Sequence, residues 1–236
     1  MAGFLALLLG GLALGFLFDG ESASDGEDRD DRDTLIGSDG DDVLQGSAGD
    51  EIILTGPGDD FVRSLDGADV IVDGVPDVQE AGNDTLYGDG GDDEVISFGG
   101  SDSLFGGTGN DLLYAIDLES GQPDTLNGGY GDDALAGDDG DILTGGAGTD
   151  LFAVGLGAFD PVAPVTISDF ESDDLLQIEI SRDGFLAGGP GDTVRVEDGP
   201  DGAEVLVNGT VLARLTGVLA SDLTDQNFAI IDLTQG

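Results

Sequence analysis

Between residues 34 and 153 the chain repeats itself every nine residues, and this period constrains the fold more than any other feature of the sequence. The clearest copies are GGTGNDLLY at 106–114, GGYGDDALA at 128–136 and GGAGTDLFA at 145–153. Aligned on these, the sixth position is acidic in twelve frames: Asp42, Glu51, Asp60, Asp69, Asp84, Asp93, Asp102, Asp111, Asp124, Asp133, Asp141 and Asp150. Two positions later each frame carries a large apolar residue: Leu44, Ile53, Val62, Ile71, Leu86, Val95, Leu104, Leu113, Leu126, Leu135, Leu143 and Phe152. The fourth position is glycine in eleven of the twelve frames, Gln122 being the exception. Extra residues around 75–80 and 116–119, and one residue missing between Gly140 and Asp141, read as surface loops. A disordered acidic tail would not hold an apolar column in phase with its acids.

A nine-residue unit built from a six-residue glycine turn and a three-residue strand points one side chain per strand inward, the apolar residue at position eight. Two units complete one winding. The predicted fold is therefore all-β, a parallel β-roll, or β-solenoid of nonapeptide repeats. Glycine serves it because turn residues take positive φ and stacked backbones approach closely. Parallel strands stack about 4.8 Å apart, so acids 18 residues apart meet across neighbouring windings: Asp42 with Asp60, Glu51 with Asp69, Asp84 with Asp102, Asp93 with Asp111. Two bare carboxylates about 5 Å apart cost about 3 kcal/mol at an effective dielectric near 20, and a thin apolar row cannot absorb a stack of such pairs.

A cation must therefore lie between them, and composition says which kind. Fifty-one Asp and Glu against six basic residues give a formal net charge of −45, which excludes nucleic acid and anionic lipid headgroups as partners. The chain has no cysteine and no histidine, so thiolate and imidazole metal sites and histidine-based catalysis are absent. Only oxygen ligands remain. Calcium accepts six to eight oxygens in flexible geometry, and a glycine turn offers carbonyls beside each carboxylate; magnesium, stricter and slower to shed water, fits less well.

Outside the repeats, residues 1–18 are apolar throughout or glycine, long enough for a membrane anchor or a removed signal, although the first basic residue is Arg29. Residues 19–33, DGESASDGEDRDDRD, are too charged to bury surface and read as a linker. From 154 to 236 the pattern changes to strand-like runs at 165–167, 175–180, 193–197, 204–207, 210–215 and 228–231. Asn208-Gly209 signals a hairpin and DGPDG at 198–202 a second turn. These runs predict a small antiparallel β region that caps the last winding.

The repeats resemble those of the RTX (repeats-in-toxin, hemolysin-type) calcium-binding proteins, with their GGxGxDxUx nonapeptide, over residues 34–153, about half the chain. TISDFESDDLLQI at 166–178 is similar to the segment that follows the last repeat in family members. The resemblance implies several Ca2+ ions held by the twelve position-six acids, with Asp169 and Asp173 as lesser candidates. It also implies export to the extracellular space by type I secretion machinery that reads an uncleaved C-terminal signal, here beyond about Gly188. The apolar N-terminus departs from that pattern. Two functional classes follow. One is a non-catalytic calcium-binding module, secreted or held at the cell surface through 1–18. The other is a secreted enzyme or toxin with a histidine-free catalytic part in 161–236. In the family, hydrolytic domains precede the repeats, and no HExxH pattern occurs in the chain.

Overall fold

The computed structural model of the protein describes residues 32–74, 82–117, 121–154, 163–180 and 194–232. The apolar segment 1–18 and most of the acidic linker lie outside the described residues. The strands, in chain order, are β1 (Asp33–Ile36), β2 (Val43–Gln45), β3 (Glu51–Leu54), β4 (Phe61–Arg63), β5 (Val70–Val72), β6 (Thr85–Gly90) and β7 (Glu94–Ser97). They continue with β8 (Ser103–Thr108), β9 (Leu112–Ala115), β10 (Thr125–Tyr130), β11 (Ala134–Ala136), β12 (Ile142–Ala147) and β13 (Leu151–Val154). The last six are β14 (Val165–Ile167), β15 (Leu175–Ile180), β16 (Val194–Asp198), β17 (Gly202–Val207), β18 (Thr210–Thr216) and β19 (Phe228–Asp232).

Consecutive strands of the repeat enter opposite sheets. One sheet runs β1-β3-β5-β7-β9-β11-β13-β15-β19 and the other β2-β4-β6-β8-β10-β12-β14-β18-β17-β16. Neighbours are parallel except at β18-β17 and β17-β16. Each pair of repeats is thus one winding laid in register on the last, the β-roll that the period predicts. Residues of position eight form two columns. In one, Val62, Leu86, Leu104, Leu126, Leu143, Ile167 and Leu215 pair in succession. In the other, Ile53, Ile71, Val95, Leu113, Leu135, Phe152 and Leu176 do. None of these side chains is more than 1% exposed, so the interior of the roll is these two facing columns. Burying each contributes about 1.5–3 kcal/mol.

The insertions do not disturb this register. Asp60 and Asp84 are 24 residues apart, yet Val62 still pairs with Leu86. The expectation of one buried side chain per strand is exceeded in the odd-numbered sheet. Val72, Ile96, Tyr114 and Ala136, one position beyond the inward column, are buried as well. Tyr114 packs edge-on against Phe98, with ring centroids 6.0 Å apart. On the other sheet, Tyr87 and Phe105 stack at 4.6 Å, and Arg63 forks onto Asp89.

The C-terminal runs form strands close to the expected bounds, and the Asn208-Gly209 hairpin is present, with φ of 54° and 89° at the two residues. Gly199 N donates to Gly202 O at 2.7 Å across the second turn. The antiparallel part is confined to β16–β17–β18, whereas β14, β15, β18 and β19 continue the two parallel stacks. Among the described residues no helix is long and apolar enough to cross a membrane.

Candidate metal centre

The turns between strands line the two edges of the roll. Gly109, at position four, has φ of 136°, and a Cβ there would run into the carbonyl oxygen of Gly91 one winding back. The turn therefore needs glycine twice over, for its backbone angle and for the closeness of its neighbour.

Two residues later the acid is locked by its own main chain. The N–H of every position-six acid except Asp141, which donates to Asp138 O, meets Oδ1 of an acid on the next winding. Along one edge the series is Asp42 to Asp60 (2.7 Å), Asp60 to Asp84 (2.6 Å), Asp84 to Asp102 (2.8 Å), Asp102 to Asp124 (2.7 Å) and Asp124 to Asp141 (2.8 Å). Along the other it is Glu51 to Asp69 (2.7 Å), Asp69 to Asp93 (2.9 Å), Asp93 to Asp111 (2.9 Å), Asp111 to Asp133 (2.8 Å) and Asp133 to Asp150 (2.9 Å). The structure thus brings all twelve expected acids into two columns. All are buried except Asp42, which is half-buried.

The second carboxylate oxygen divides the set. In Asp60, Asp69, Asp84, Asp93, Asp111 and Asp133 it is buried and has no hydrogen-bond partner. In Asp42 it accepts from Ser38 N at 2.6 Å, in Asp141 from Asp138 N at 2.7 Å, and in Asp102 from the Ser97 hydroxyl. Glu51 likewise takes the N–H and hydroxyl of Ser47. A buried acceptor without a donor costs about 1–3 kcal/mol, more when charged, so six in one small fold require a partner.

The first glycine of the repeat shapes the space beside that oxygen. A Cβ on Gly106 would collide with Asp111 Oδ2 and lie 2.7 Å from the carbonyl oxygen of Gly128 on the next winding. Gly88 stands in the same relation to Asp93 Oδ2 and Gly106 O (2.8 Å), and Gly128 to Asp133 Oδ2 and Gly145 O (2.7 Å). Each hollow is bounded by oxygens from successive windings. The described ion pairs, Arg63 with Asp89 and Arg214 with Glu204, involve no column acid. Burial pushes the carboxyls up, Asp93 to about 8, Asp111 to about 7 and Asp141 to about 7. Asp124 is pushed furthest, to about 10, by burial and then by the charge of Asp141. Without a cation, burial thus favours the protonated form of these groups. An oxygen-lined hollow with an unpartnered carboxylate oxygen and no basic side chain fits a hard divalent ion.

A family model of the RTX calcium-binding nonapeptide repeat matches the chain in four copies, at residues 27–62, 80–113, 120–141 and 140–158. The chain is an RTX calcium-binding repeat protein. Its repeats bind Ca2+ at multiple sites. No curated protein matches the chain as a relative.

The RTX roll also uses residues that the period did not single out. Asp174 extends the second column, its Oδ1 accepting from Asp150 N at 2.9 Å and its Oδ2 from Glu171 N at 2.7 Å. The signal was available, since Asp174 stands two residues before the inward Leu176, as every column acid does before its apolar partner. Asp169 instead accepts from Gly145 N and Gly146 N at 2.9 Å each, and Asp173 is exposed. A second ladder runs at position five in the opposite sense. There Asp92 Oδ1 accepts from Asn110 N, Asn110 Oδ1 from Asp132 N, and Asp132 Oδ1 from Thr149 N, each at 2.8 Å. Its sequence signal is the run of Asp and Asn just before the column acid.

Gly106 does not have positive φ, so alanine there tests the hollow and not the backbone angle. Gly106→Ala is expected to lose the ion bound beside Asp111 and to cost about 1–3 kcal/mol by overpacking, read as one fewer Ca2+ by calorimetry.

Proposed function

We propose that this protein is a non-catalytic, extracellular calcium-binding module whose roll assembles when it meets calcium outside the cell. The observation that carries the reading is the set of six buried, unpartnered carboxylate oxygens, three of which, in Asp93, Asp111 and Asp133, face oxygen-lined glycine hollows. The twelve position-six acids then divide in role. Asp60, Asp69, Asp84, Asp93, Asp111 and Asp133 supply side-chain oxygen to ions held between windings, with glycine carbonyls completing the shell. Asp124 and Asp150 belong to the same columns. Asp42, Glu51, Asp102 and Asp141, whose second oxygen is taken by their own turns, chiefly fasten the stack. Segment 1–18 tethers the module to a membrane or is removed on export, and type I export is in keeping with the family to which the repeats belong.

The energetics make the ion a folding switch. With a dissociation constant near 10⁻⁴ M, a tenfold excess of calcium adds about 1.4 kcal/mol per site, so six sites contribute about 8 kcal/mol, comparable to the stability of a whole domain. At submicromolar cytosolic calcium the same sites contribute almost nothing.

Circular dichroism of the full chain tests this. At pH 8 in chelator the β signal is expected to be largely absent and to appear on titration to millimolar calcium; a complete β signal in chelator would sink the switch. Acid provides an independent arm. The folded carboxyls of Asp93, Asp111 and Asp150 are raised to about 8, 7 and 6 from the ordinary aspartate value of 3.8, chiefly by burial. The ion-free fold therefore binds protons that the unfolded chain releases. Its stability is fully present below about pH 4 and is lost as pH rises through 6 to 8. In chelator, lowering the pH from 8 to 4 is expected to restore part of the β signal.

A further inference from the structure

The two edges of the roll differ at position one of the turn. On the edge that carries Asp93, Asp111, Asp133 and Asp150 this position is glycine in Gly88, Gly106, Gly128 and Gly145. On the opposite edge it is Thr55, Asp73, Ser97 and Ala115 in four successive turns. Asp73, which directly follows β5, therefore places a carboxylate where the other edge keeps a hollow beside the column acid.

This carboxylate is 3% exposed. It accepts from the Thr55 hydroxyl through Oδ1, and its Oδ2 lies 3.3 Å from the Ser97 hydroxyl oxygen, whose proton goes to Asp102. Asp60, Asp73 and Asp84 each bring one carboxylate oxygen within 4.8 Å of the other two. Asp60 and Asp84, 3% and 2% exposed, each retain a buried Oδ2 that no N–H or hydroxyl meets. The nearby charges add to the negative potential, Asp41, Asp42 and Asp59 acting on Asp60, and Asp102 on both Asp73 and Asp84. Arg63, on β4, is engaged by Asp89. Three buried carboxylates this close, two with an oxygen that no N–H or hydroxyl meets, form a site that a divalent cation completes at neutral pH.

We propose that Asp73, which lies outside the nonapeptide pattern, joins the column acids Asp60 and Asp84 in a three-carboxylate calcium site that fills before the two-carboxylate sites of the roll. This rests on the calcium reading given above and adds to it an order of filling. Affinity in oxygen sites rises with the number of charged ligands, and the repeat hollows offer two column carboxylates at most beside neutral carbonyls. Asp60 and Asp84 belong to adjacent windings 24 residues apart, the longest separation between paired acids in their own column, so an ion held with Asp73 ties these two windings together. The first ion bound thus secures the least local contact of the column.

Calorimetry and equilibrium dialysis of the full chain with calcium alone test the assignment. The wild type is expected to bind one ion at least about tenfold more tightly than the remainder. Asp73→Asn and Asp73→Gly should both lose that tight ion while keeping the weaker class, and the second variant restores the residue that the other edge carries at this position. Asp111→Asn should do the reverse, losing one weak ion and retaining the tight one. Binding curves of the two Asp73 variants that superimpose on the wild-type curve would overturn the site while leaving the calcium reading intact. A wild type that binds no calcium would overturn both.

Discussion

Asp111→Asn is expected to stabilise the roll in chelator and to destabilise it in calcium, a reversal of sign that few alternative accounts share. The asparagine keeps Oδ1, which accepts the N–H of Asp93, so the stacking bond survives. What changes is the second atom, an unpartnered carboxylate oxygen replaced by an amide that can donate. At pH 8 without calcium the native carboxyl, pushed up to about 7 chiefly by burial and then by the charge of Asp133, is mostly ionised at a cost that the amide avoids. With calcium about a hundredfold above the dissociation constant of that site, the variant forgoes about 2.7 kcal/mol of binding-linked stability. Urea unfolding in millimolar calcium and the β signal that remains in chelator at pH 8 would measure both signs; a loss in both solutions would contradict the assignment.

Leu104→Ala is expected to cost about 3 kcal/mol, because the side chain is fully buried between Leu86 and Leu126 and the stacked windings on either side cannot close onto the space it leaves. In a roll coupled to calcium, the loss appears as a shift in the titration. If about six ions bind on folding, a loss of 3 kcal/mol is offset by about 0.5 kcal/mol more from each, and the midpoint rises only about twofold. A rise of an order of magnitude would mean that far fewer ions take part. The test thus reports on the apolar column and on the number of ions together.

The two columns were legible in the sequence because one spacing, acid and then apolar residue two places later, fixes both the strand phase and the edge of the roll on which the acid falls. The same spacing would have found Asp174, but the turn before β15 lacks the glycine pattern, and the segment resemblance drew attention to Asp169 and Asp173. What the spacing cannot reveal is the state of the second oxygen. Asp102 and Asp111 occupy equivalent positions, yet Asp102 is met by the Ser97 hydroxyl and Asp111 faces a glycine hollow, a difference that depends on position one of the preceding turn. Asp73 was hidden for the same reason, since it stands outside the position-six frame. In the C-terminal part, the apolar runs marked strands but not their partners. A short apolar run says that a strand is half-buried, and only the assembled roll shows that β14 and β15 find a parallel edge waiting while β16–β18 pair as an antiparallel meander.

The most direct test of the account is a crystal structure of the protein grown in millimolar calcium, with the ions placed by their anomalous scattering. The account predicts a calcium ion bonded at about 2.3–2.6 Å to the second carboxylate oxygen of Asp93, Asp111 and Asp133, each lodged between successive windings. Those same oxygens turned toward solvent, with the glycine hollows holding no metal, would contradict it.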